Sequence, residues 1–255
     1  MSRIVCQFSC GAASAVATKL ALAQYEATTE VLVVNAFLAG EHEDNRRFFA
    51  DCQRWIGREF TVLRDEKYNA DPIEVFRRRQ YIKGRHGASC SSALKRELLR
   101  TIERPGDVLV LGYTFEEQER LDDFREHFPD RPVIAPLIDN KLSKEDCKAM
   151  VLRAGIEIPM MYRMGYDNAN CIACVKGGAG YFRAIRIDFP ERFEALAQVE
   201  SEIGEGAYIL RHRSGPLKGK RFPLLELSLD GPVRRNEKVP SCSFYCEVAE
   251  QGYTE

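Results

Sequence analysis

The sequence predicts an α/β fold in which helices cover both faces of a parallel β-sheet. Short apolar, β-branched runs of strand length recur through the first half of the chain, and segments of helical character separate them. This alternation is typical of parallel sheets, because a helix usually makes the crossover between parallel strands. With 45% hydrophobic and 29% charged residues, the composition is that of a globular chain with a sizeable core.

The order of the elements follows from these runs and from local start signals. Strands are predicted at residues 4–8, 31–35, 60–63 and 108–112. Helices are predicted at residues 14–25, 44–57, 91–103 and 116–127. A further helix begins at Ser143, where the order Ser-Lys-Glu-Asp is a capping signal.

A change in composition near Met164 predicts two domains. Residues 1–165 form the α/β domain. In residues 166–255, glycine, cysteine and aromatic residues cluster, and residues 207–229 resemble a β-hairpin. We therefore expect a small cysteine-bearing C-terminal appendage with a metal site and a hairpin.

Hydropathy and charge restrict the expected location of the protein and the partners it can bind. No apolar run is long enough to cross a membrane, and the first residues lead directly into a strand, so we expect a cytoplasmic protein without membrane partners. The net charge of −1 does not indicate a nucleic-acid binder. Two local basic runs, at residues 77–86 and 211–221, are either sites for a phosphate-rich partner or solvated surfaces.

The turn after the first strand has the features of an anion site. Small residues let the backbone approach a phosphate, and the N–H groups at the start of the following helix point toward it. The alternative is a tight strand–helix connection without a ligand. The residues concerned are Ser9, Cys10, Gly11, Ala12, Ala13 and Ser14.

This turn resembles the PP-loop of the adenine nucleotide α-hydrolase-like superfamily, whose usual form is S-G-G-x-D-S. The superfamily includes the phosphoadenosine phosphosulfate (PAPS) reductases, the N-type ATP pyrophosphatases and ATP-dependent thiolation enzymes. Cys10 replaces the first glycine and Ala13 replaces the acidic residue. Loss of the acid weakens the case for ATP cleavage with magnesium, and sulfonucleotide reductases also lack the acidic form.

Further segments resemble the same superfamily in the same order. The resemblance implies a Rossmann-like fold and a bound adenine nucleotide, which would be ATP, AMP or PAPS. It also implies that residues beyond the loop contact this nucleotide, namely Asn35, Asp44, Gly112, Glu117 and Arg120. The matching segments are residues 33–45, 89–96, 112–120, 134–146 and 165–174.

The nine cysteines include two closely spaced pairs. Cys171 and Cys174 form a CxxC, and Cys242 and Cys246 form a CxxxC. Four thiolates suffice for a [4Fe–4S] cluster or for a tetrahedral zinc site. Three single cysteines in strand or helix patterns are predicted to be buried thiols, namely Cys6, Cys52 and Cys147. Cys10 is ambiguous because it lies in the loop.

The resemblance implies other roles for some of these cysteines. Some PP-loop thiolation enzymes hold a cluster by three cysteines, and here Cys90, Cys171 and Cys174 would be the ligands. Alternatively, Cys242 would be the redox cysteine that PAPS reductases carry near the C-terminus. Lys95 lies about one helical turn after Cys90. A nucleotide phosphate at Lys95 and a reactive sulfur at Cys90 would therefore share one pocket. Cys90, Lys95 and Cys242 are therefore the predicted catalytic residues.

Three functions follow from these features. The first is a PAPS reductase-like enzyme that carries out thiol- or cluster-assisted sulfur chemistry on a nucleotide, with a thiol reductant as partner. The second is an ATP-dependent adenylating sulfurtransferase that releases pyrophosphate, with a sulfur donor protein and a nucleic acid or metabolite as acceptor. The third is a non-catalytic accessory protein that binds a nucleotide or a metal.

Overall fold

The computed structural model describes residues 2–84 and 87–240 and confirms an α/β fold built on a parallel sheet. Nine strands lie in this part of the chain, most of them short. Their bounds are β1 Ile4–Gln7, β2 Val31–Ala36, β3 Thr61–Leu63, β4 Lys83–Gly84, β5 Gly87–Ala88, β6 Val108–Val110, β7 Val133–Ile134, β8 Leu210–Arg211 and β9 Arg221–Phe222.

Five of the strands form one parallel sheet in the order β3-β2-β1-β6-β7. The central strand β1 pairs with β2 on one side, where Ile4 lies beside Val31. On its other side β1 pairs with β6, where Cys6 lies beside Val110. The remaining strands form two small antiparallel pairs, β4 with β5 and β8 with β9.

Helices cover the sheet, and none of those described is long and apolar enough to cross a membrane. One π-helical turn, Ser92–Arg96, joins α4 to α5, and 3₁₀ turns occur at Phe115–Glu117, Glu205–Ala207 and Leu224–Glu226. The helix bounds are α1 Ala12–Tyr25, α2 Asp44–Ile56, α3 Pro72–Arg79, α4 Ser89–Ser91, α5 Glu97–Arg100, α6 Gln118–His127, α7 Pro136–Asp139, α8 Lys144–Arg153, α9 Met160–Arg163, α10 Ala179–Asp188 and α11 Pro190–Ile203.

The sheet is buried on both faces because alternate residues of each strand point to opposite sides. Ile4 and Cys6 of β1 pack against α1, α2 and α8. Val5 packs on the opposite face with Leu109 of β6 and Leu121 of α6. The apolar strands of the sequence are therefore the centre of a three-layer core.

The predicted helix starts and stops largely agree with the structure. The Ser143 hydroxyl accepts the N–H of Asp146 at 3.1 Å, and the Asp146 carboxylate accepts the N–H of Ser143 at 2.9 Å, which confirms the capping box. Helix α2 ends at Gly57, whose φ of 79° favours glycine. Helix α1 begins at Ala12, two residues before the predicted start, because the small loop residues adopt helical geometry early.

Residues 166–240 form more helix than the sequence analysis predicted. Helices α10 and α11 form the centre of a hydrophobic cluster that also contains Ile73, Phe76 and Ile82 from the preceding part of the chain. The short β8–β9 pair confirms a hairpin within residues 207–229. Cys242 and Cys246 lie outside the described residues, so the cysteine-bearing appendage remains a prediction.

Candidate functional site

The carboxyl ends of β1 and β6 define the candidate site. After β1 the chain crosses to β2 on one side, whereas β6 lies on the other side of β1. The loops that follow β1 and β6 therefore leave the same edge of the sheet in opposite directions. In open parallel sheets, ligands bind in the crevice that this divergence creates.

A cavity of about 480 Å³ lies in this crevice, and we call it the nucleotide cavity. Its volume is within the usual range for small-molecule sites. Four of the six predicted loop residues line it, namely Ser9, Gly11, Ala13 and Ser14. Cys10 and Ala12 do not line it, because their side chains are fully buried in the core behind the loop.

The backbone of the loop is only partly engaged by neighbouring groups. The N–H of Ser9 donates to the Ser14 hydroxyl at 3.1 Å, and this hydroxyl donates to the carbonyl of Gly11 at 2.9 Å. The N–H of Ala12 is directed at the buried hydroxyl of Tyr162. In the described part of the chain, the N–H groups of Gly11, Ala13 and Ser14 have no acceptor. These three amides border the cavity and can receive an anion.

Cys10 supports the loop from behind. Its φ of 56° is unusual for a residue with a side chain. Its Sγ atom lies 3.5 Å from Nη2 of Arg46 and 3.8 Å from Nδ2 of Asn35. Burial raises the pKa of the Cys10 thiol well above its usual value. The Cys10 side chain therefore packs behind the loop and does not reach the nucleotide cavity.

Two of the predicted nucleotide contacts lie outside the cavity. Asn35 donates from Nδ2 to the carbonyl of Phe8 at 2.8 Å and thereby fixes the start of the loop. Asp44 accepts hydrogen bonds from Nε of Arg47 and from the N–H of Met160, both at 2.7 Å. The Asn35 contact joins β2 to the loop, and the Asp44 contacts lie within α2 and between α2 and α9, so neither residue reaches the nucleotide cavity.

The loop after β6 brings the other three predicted contacts to the cavity wall. Gly112 lies so close to α1 that a Cβ atom there would be 3.3 Å from Cα of Ser14. Glu117 accepts the N–H of Thr114 at 3.0 Å and pairs with Arg120. The Arg120 guanidinium stacks over Tyr113, 4.4 Å from the ring centre. Glu117 therefore holds a cation at the cavity wall.

A smaller cavity of about 40 Å³ adjoins the first one, and we call it the cysteine cavity. Cys90, Cys171 and Cys174 all line it, although they come from two distant parts of the sequence. The two cavities share four wall residues, and Lys95 is one of them. The shared residues are Ser9, Glu41, Lys95 and Asn170.

The π-helical turn explains how Cys90 and Lys95 reach one cavity. Residues five apart in a regular α-helix point about 140° away from each other. Here the N–H of Glu97 donates to the carbonyl of Ser92, five residues earlier, so the turn is wider than an α-helical turn. Lys95 is only 6% exposed and lies at the junction of the two cavities.

Three further residues of the site were not among the predicted site residues; Glu41 lies in the segment 33–45 that resembles the superfamily, whereas Gln7 and Tyr162 carry no local sequence signal. Glu41, with a side chain only 5% exposed, accepts Nη2 of Arg46 at 3.1 Å at the junction of the cavities. Nε2 of Gln7 is buried beside the nucleotide cavity and has no partner among the described residues. Tyr162, from a distant part of the sequence, lines the nucleotide cavity, and its hydroxyl would lie 3.3 Å from a Cβ atom at Gly11.

The described residues do not by themselves provide a metal site. Within residues 2–84 and 87–240, no group of three or more His, Cys, Asp or Glu side chains is arranged to hold a metal ion. Cys171, Cys174 and Cys90 share a cavity, but Cys242 and Cys246 lie outside this part of the chain. The four-thiolate site therefore remains a prediction, and so does the three-thiolate site, whose cysteines share a cavity but are not arranged around one metal position in the described residues.

The first basic run is largely neutralised. Arg77 and Arg78 each pair with Glu74, and Arg79 pairs with Glu97 at 2.9 Å. This region is a salt-bridged helix surface, which agrees with the solvated alternative of the sequence analysis. Arg85 and His86, also part of this run, lie outside the described residues.

We expect the cysteines to react at rates that depend on how deeply each thiol is buried. Cys6, Cys52 and Cys147 are buried as predicted, and burial raises the pKa of each thiol to about 12. At pH 8 only about one such thiol in ten thousand is ionised. With reductant and chelator present, we expect iodoacetamide to label the half-exposed Cys90, Cys171 and Cys174 at least tenfold faster, as followed by peptide mass spectrometry.

The control is the same reaction in guanidinium chloride, where all cysteines should react at similar rates. Equal labelling rates for Cys147 and Cys90 in the folded protein would contradict the assigned burial.

Comparison with known proteins does not assign the chain to a family. No protein-family model matches the chain, and no curated protein shows significant similarity to it.

Proposed function

We propose that this chain is a PAPS reductase-like enzyme that binds an adenine nucleotide or sulfonucleotide in the nucleotide cavity and uses thiols for sulfur chemistry. The observation that carries the proposal is the shared wall between a cavity at an open phosphate loop and a cavity lined by three cysteines. Lys95 and Ser9 belong to both. A phosphate and a reactive sulfur would thus be neighbours.

The phosphates would lie against the start of α1. The amides of Gly11, Ala13 and Ser14 are available there, and the helix dipole favours negative charge. Lys95 and Arg120 would add positive charge from two sides of the cavity. The partnerless Nε2 of Gln7 would supply a neutral donor at the floor.

The proposed sulfur step is a displacement at the sulfonate sulfur. A thiolate forms a bond to this sulfur while the bond from sulfur to the phosphate oxygen breaks, and the electron pair leaves with the nucleotide phosphate. The products are an S-sulfonated cysteine and the adenosine phosphate. A second thiol, from this chain or a reductant protein, then forms a disulfide and releases sulfite. Lys95 would stabilise the charge on the departing phosphate.

Cys90 and Cys242 are the candidate nucleophiles. Cys90 lies at the cysteine cavity, next to the wall that both cavities share. Pro240, two residues before Cys242, lines the nucleotide cavity. No step of the proposal runs through a metal or a cluster, and iron and zinc analysis of the purified protein tests the predicted thiolate sites.

Nucleotide binding is tested by a thermal shift with ATP, AMP and PAPS. At a ligand concentration 100 times Kd, we expect PAPS to raise Tm by about 5 to 10 °C. Gly112→Val should abolish this shift, because its side chain would press against the backbone of Ser14. Gly206→Val is the matched control, since a Cβ atom at Gly206 meets no atom within 4 Å.

Absence of a shift with all three nucleotides would refute the proposal and favour an accessory role. Product analysis separates the two enzymatic hypotheses, because a reductase releases sulfite from PAPS whereas an adenylating sulfurtransferase releases pyrophosphate from ATP.

A further inference from the structure

The β8–β9 hairpin carries charge of one sign only. We call residues 210–222 the basic hairpin. The segment contains no aspartate or glutamate, although the whole protein has a net charge of −1. Its cations are Arg211, Arg213, Lys218, Lys220 and Arg221.

These cations differ from those of the first basic run in their partners. Among the residues that the structure describes, no carboxylate lies within ion-pair distance of any of the five. Arg211 and Arg221 donate to backbone carbonyls, of Gly219 at 3.1 Å and of Gly206 at 3.1 Å. The side chains of Arg213, Lys218 and Lys220 are exposed and make no hydrogen bond within residues 2–84 and 87–240. Their charge is therefore available to a partner.

The basic hairpin is continuous with the candidate site. A Cβ atom at Gly178, in the turn that follows Cys174, would be 3.3 Å from Nη2 of Arg213. On the other side of this turn, the N–H of the exposed Arg234 donates to the carbonyl of Gly180 at 3.0 Å. Lys238, four residues further on, is exposed and lines the nucleotide cavity.

A half-buried carboxylate, Glu237, also lies beside this turn: the same Cβ position at Gly178 would meet Oε1 of Glu237. Glu237 accepts the N–H of Gly178 at 2.7 Å and the N–H of Tyr181 at 3.1 Å. Its charge is thus stabilised by the start of α10. The cations of the hairpin, Arg234 and Lys238 together form a basic surface that reaches the rim of the nucleotide cavity.

We propose that the basic hairpin binds the phosphate backbone of a nucleic acid strand. Exposed cations that lack carboxylate partners are the groups that contact backbone phosphates, and they do so largely independently of base sequence. The hairpin tip itself exposes Leu217 and Pro216, and Leu225, Leu229 and Val233 are exposed further along the chain. A membrane surface, which also requires apolar area, is therefore the alternative that the test must separate. The inference does not depend on the nucleotide chemistry proposed above.

The test is fluorescence anisotropy with a fluorescein-labelled single-stranded RNA of about 20 nucleotides, as a function of KCl concentration. If all five cations contact phosphates, log K should fall with log[KCl] with a slope of about −3.5. The triple variant R213Q/K218Q/K220Q should bind at least tenfold more weakly at low salt, with a slope smaller by about 2. R213K/K218R/K220R should retain binding.

The matched control is R54Q/R77Q/R78Q, which removes the same number of charges from arginines that are paired with carboxylates. We expect its affinity to remain within about threefold of the parent. Equal losses in the two triple variants would overturn the proposal, as would binding to phosphatidylserine vesicles without binding to RNA. Thermal shift with PAPS, measured separately on each variant, shows whether the nucleotide site is intact.

Discussion

Replacing Lys95 by methionine is expected to weaken PAPS binding by about 100-fold and to abolish sulfite release. Lys95 lies at the wall shared by the two cavities and is nearly buried, so its charge is poorly screened by water. A charge-assisted hydrogen bond to phosphate is among the stronger interactions in proteins. Methionine has similar length and keeps the packing around the wide turn. Isothermal titration calorimetry and a sulfite assay measure the two effects.

Lys19→Met is the matched control, because Lys19 donates to the carbonyl of Trp55 at 2.9 Å and does not line either cavity. Lys95→Arg should retain part of the binding energy, since it keeps the charge. Sulfite release by Lys95→Met within threefold of the parent would remove Lys95 from the proposed mechanism.

Replacing Glu200 by alanine should produce the largest loss of stability outside the site, about 2 to 5 kcal/mol. The side chain is fully buried on α11. Its two oxygens accept the N–H of Ile209 at 2.6 Å and the N–H of Leu224 at 2.5 Å, at the two ends of the basic hairpin. Without them, two buried donors are left unsatisfied. Guanidinium chloride unfolding at pH 7 measures the difference in the free energy of unfolding.

Glu202→Ala provides the comparison on the same helix, because Glu202 is exposed, pairs with the exposed Arg77 and accepts Nε2 of the exposed Gln198 at 2.9 Å. We expect it to cost less than about 0.5 kcal/mol. Similar losses for the two variants would show that the buried carboxylate does not stabilise the hairpin base.

The titration of Glu200 gives a second readout. Burial raises the pKa of this carboxyl, and the two N–H donors only partly oppose the shift. Because the folded pKa lies above the unfolded one, this group's contribution to stability falls as pH rises from the ordinary glutamate pKa through the folded value. Glu200→Ala should lack that part of the pH dependence.

The parallel sheet was predictable because its strands are buried on both faces and appear as apolar runs. Residues 31–35 and 108–112 carry this pattern, and both runs form strands. The two-residue strand β7 was not predicted, because so short a run has no periodicity. Helices α10 and α11 were not predicted either. Their stability comes from packing against distant residues such as Phe76, which local sequence does not reveal.

The candidate site was predictable where backbone geometry determines it and unpredictable where side chains from distant segments meet. Small residues at 9–14 indicated an open loop, and the resemblance implied that Gly112 contacts the nucleotide; the structure places Gly112 at the cavity wall, close to α1. The positions of Gln7 and Tyr162 depend on how the loop packs in three dimensions. The resemblance implied that Asn35 contacts the nucleotide, whereas in the structure its amide donates to the carbonyl of Phe8.

The wide turn at residues 92–96 also makes the site sensitive to chain length. A π-helical turn holds one residue more than the α-helix around it needs, so a one-residue deletion there would let the backbone become a regular helix with its hydrogen bonds preserved. The helix would survive, but every side chain on one side of the deletion would rotate by about 100° relative to the other. A one-residue deletion that leaves the fold intact would thus move the Lys95 ammonium group away from the Cys90 thiol.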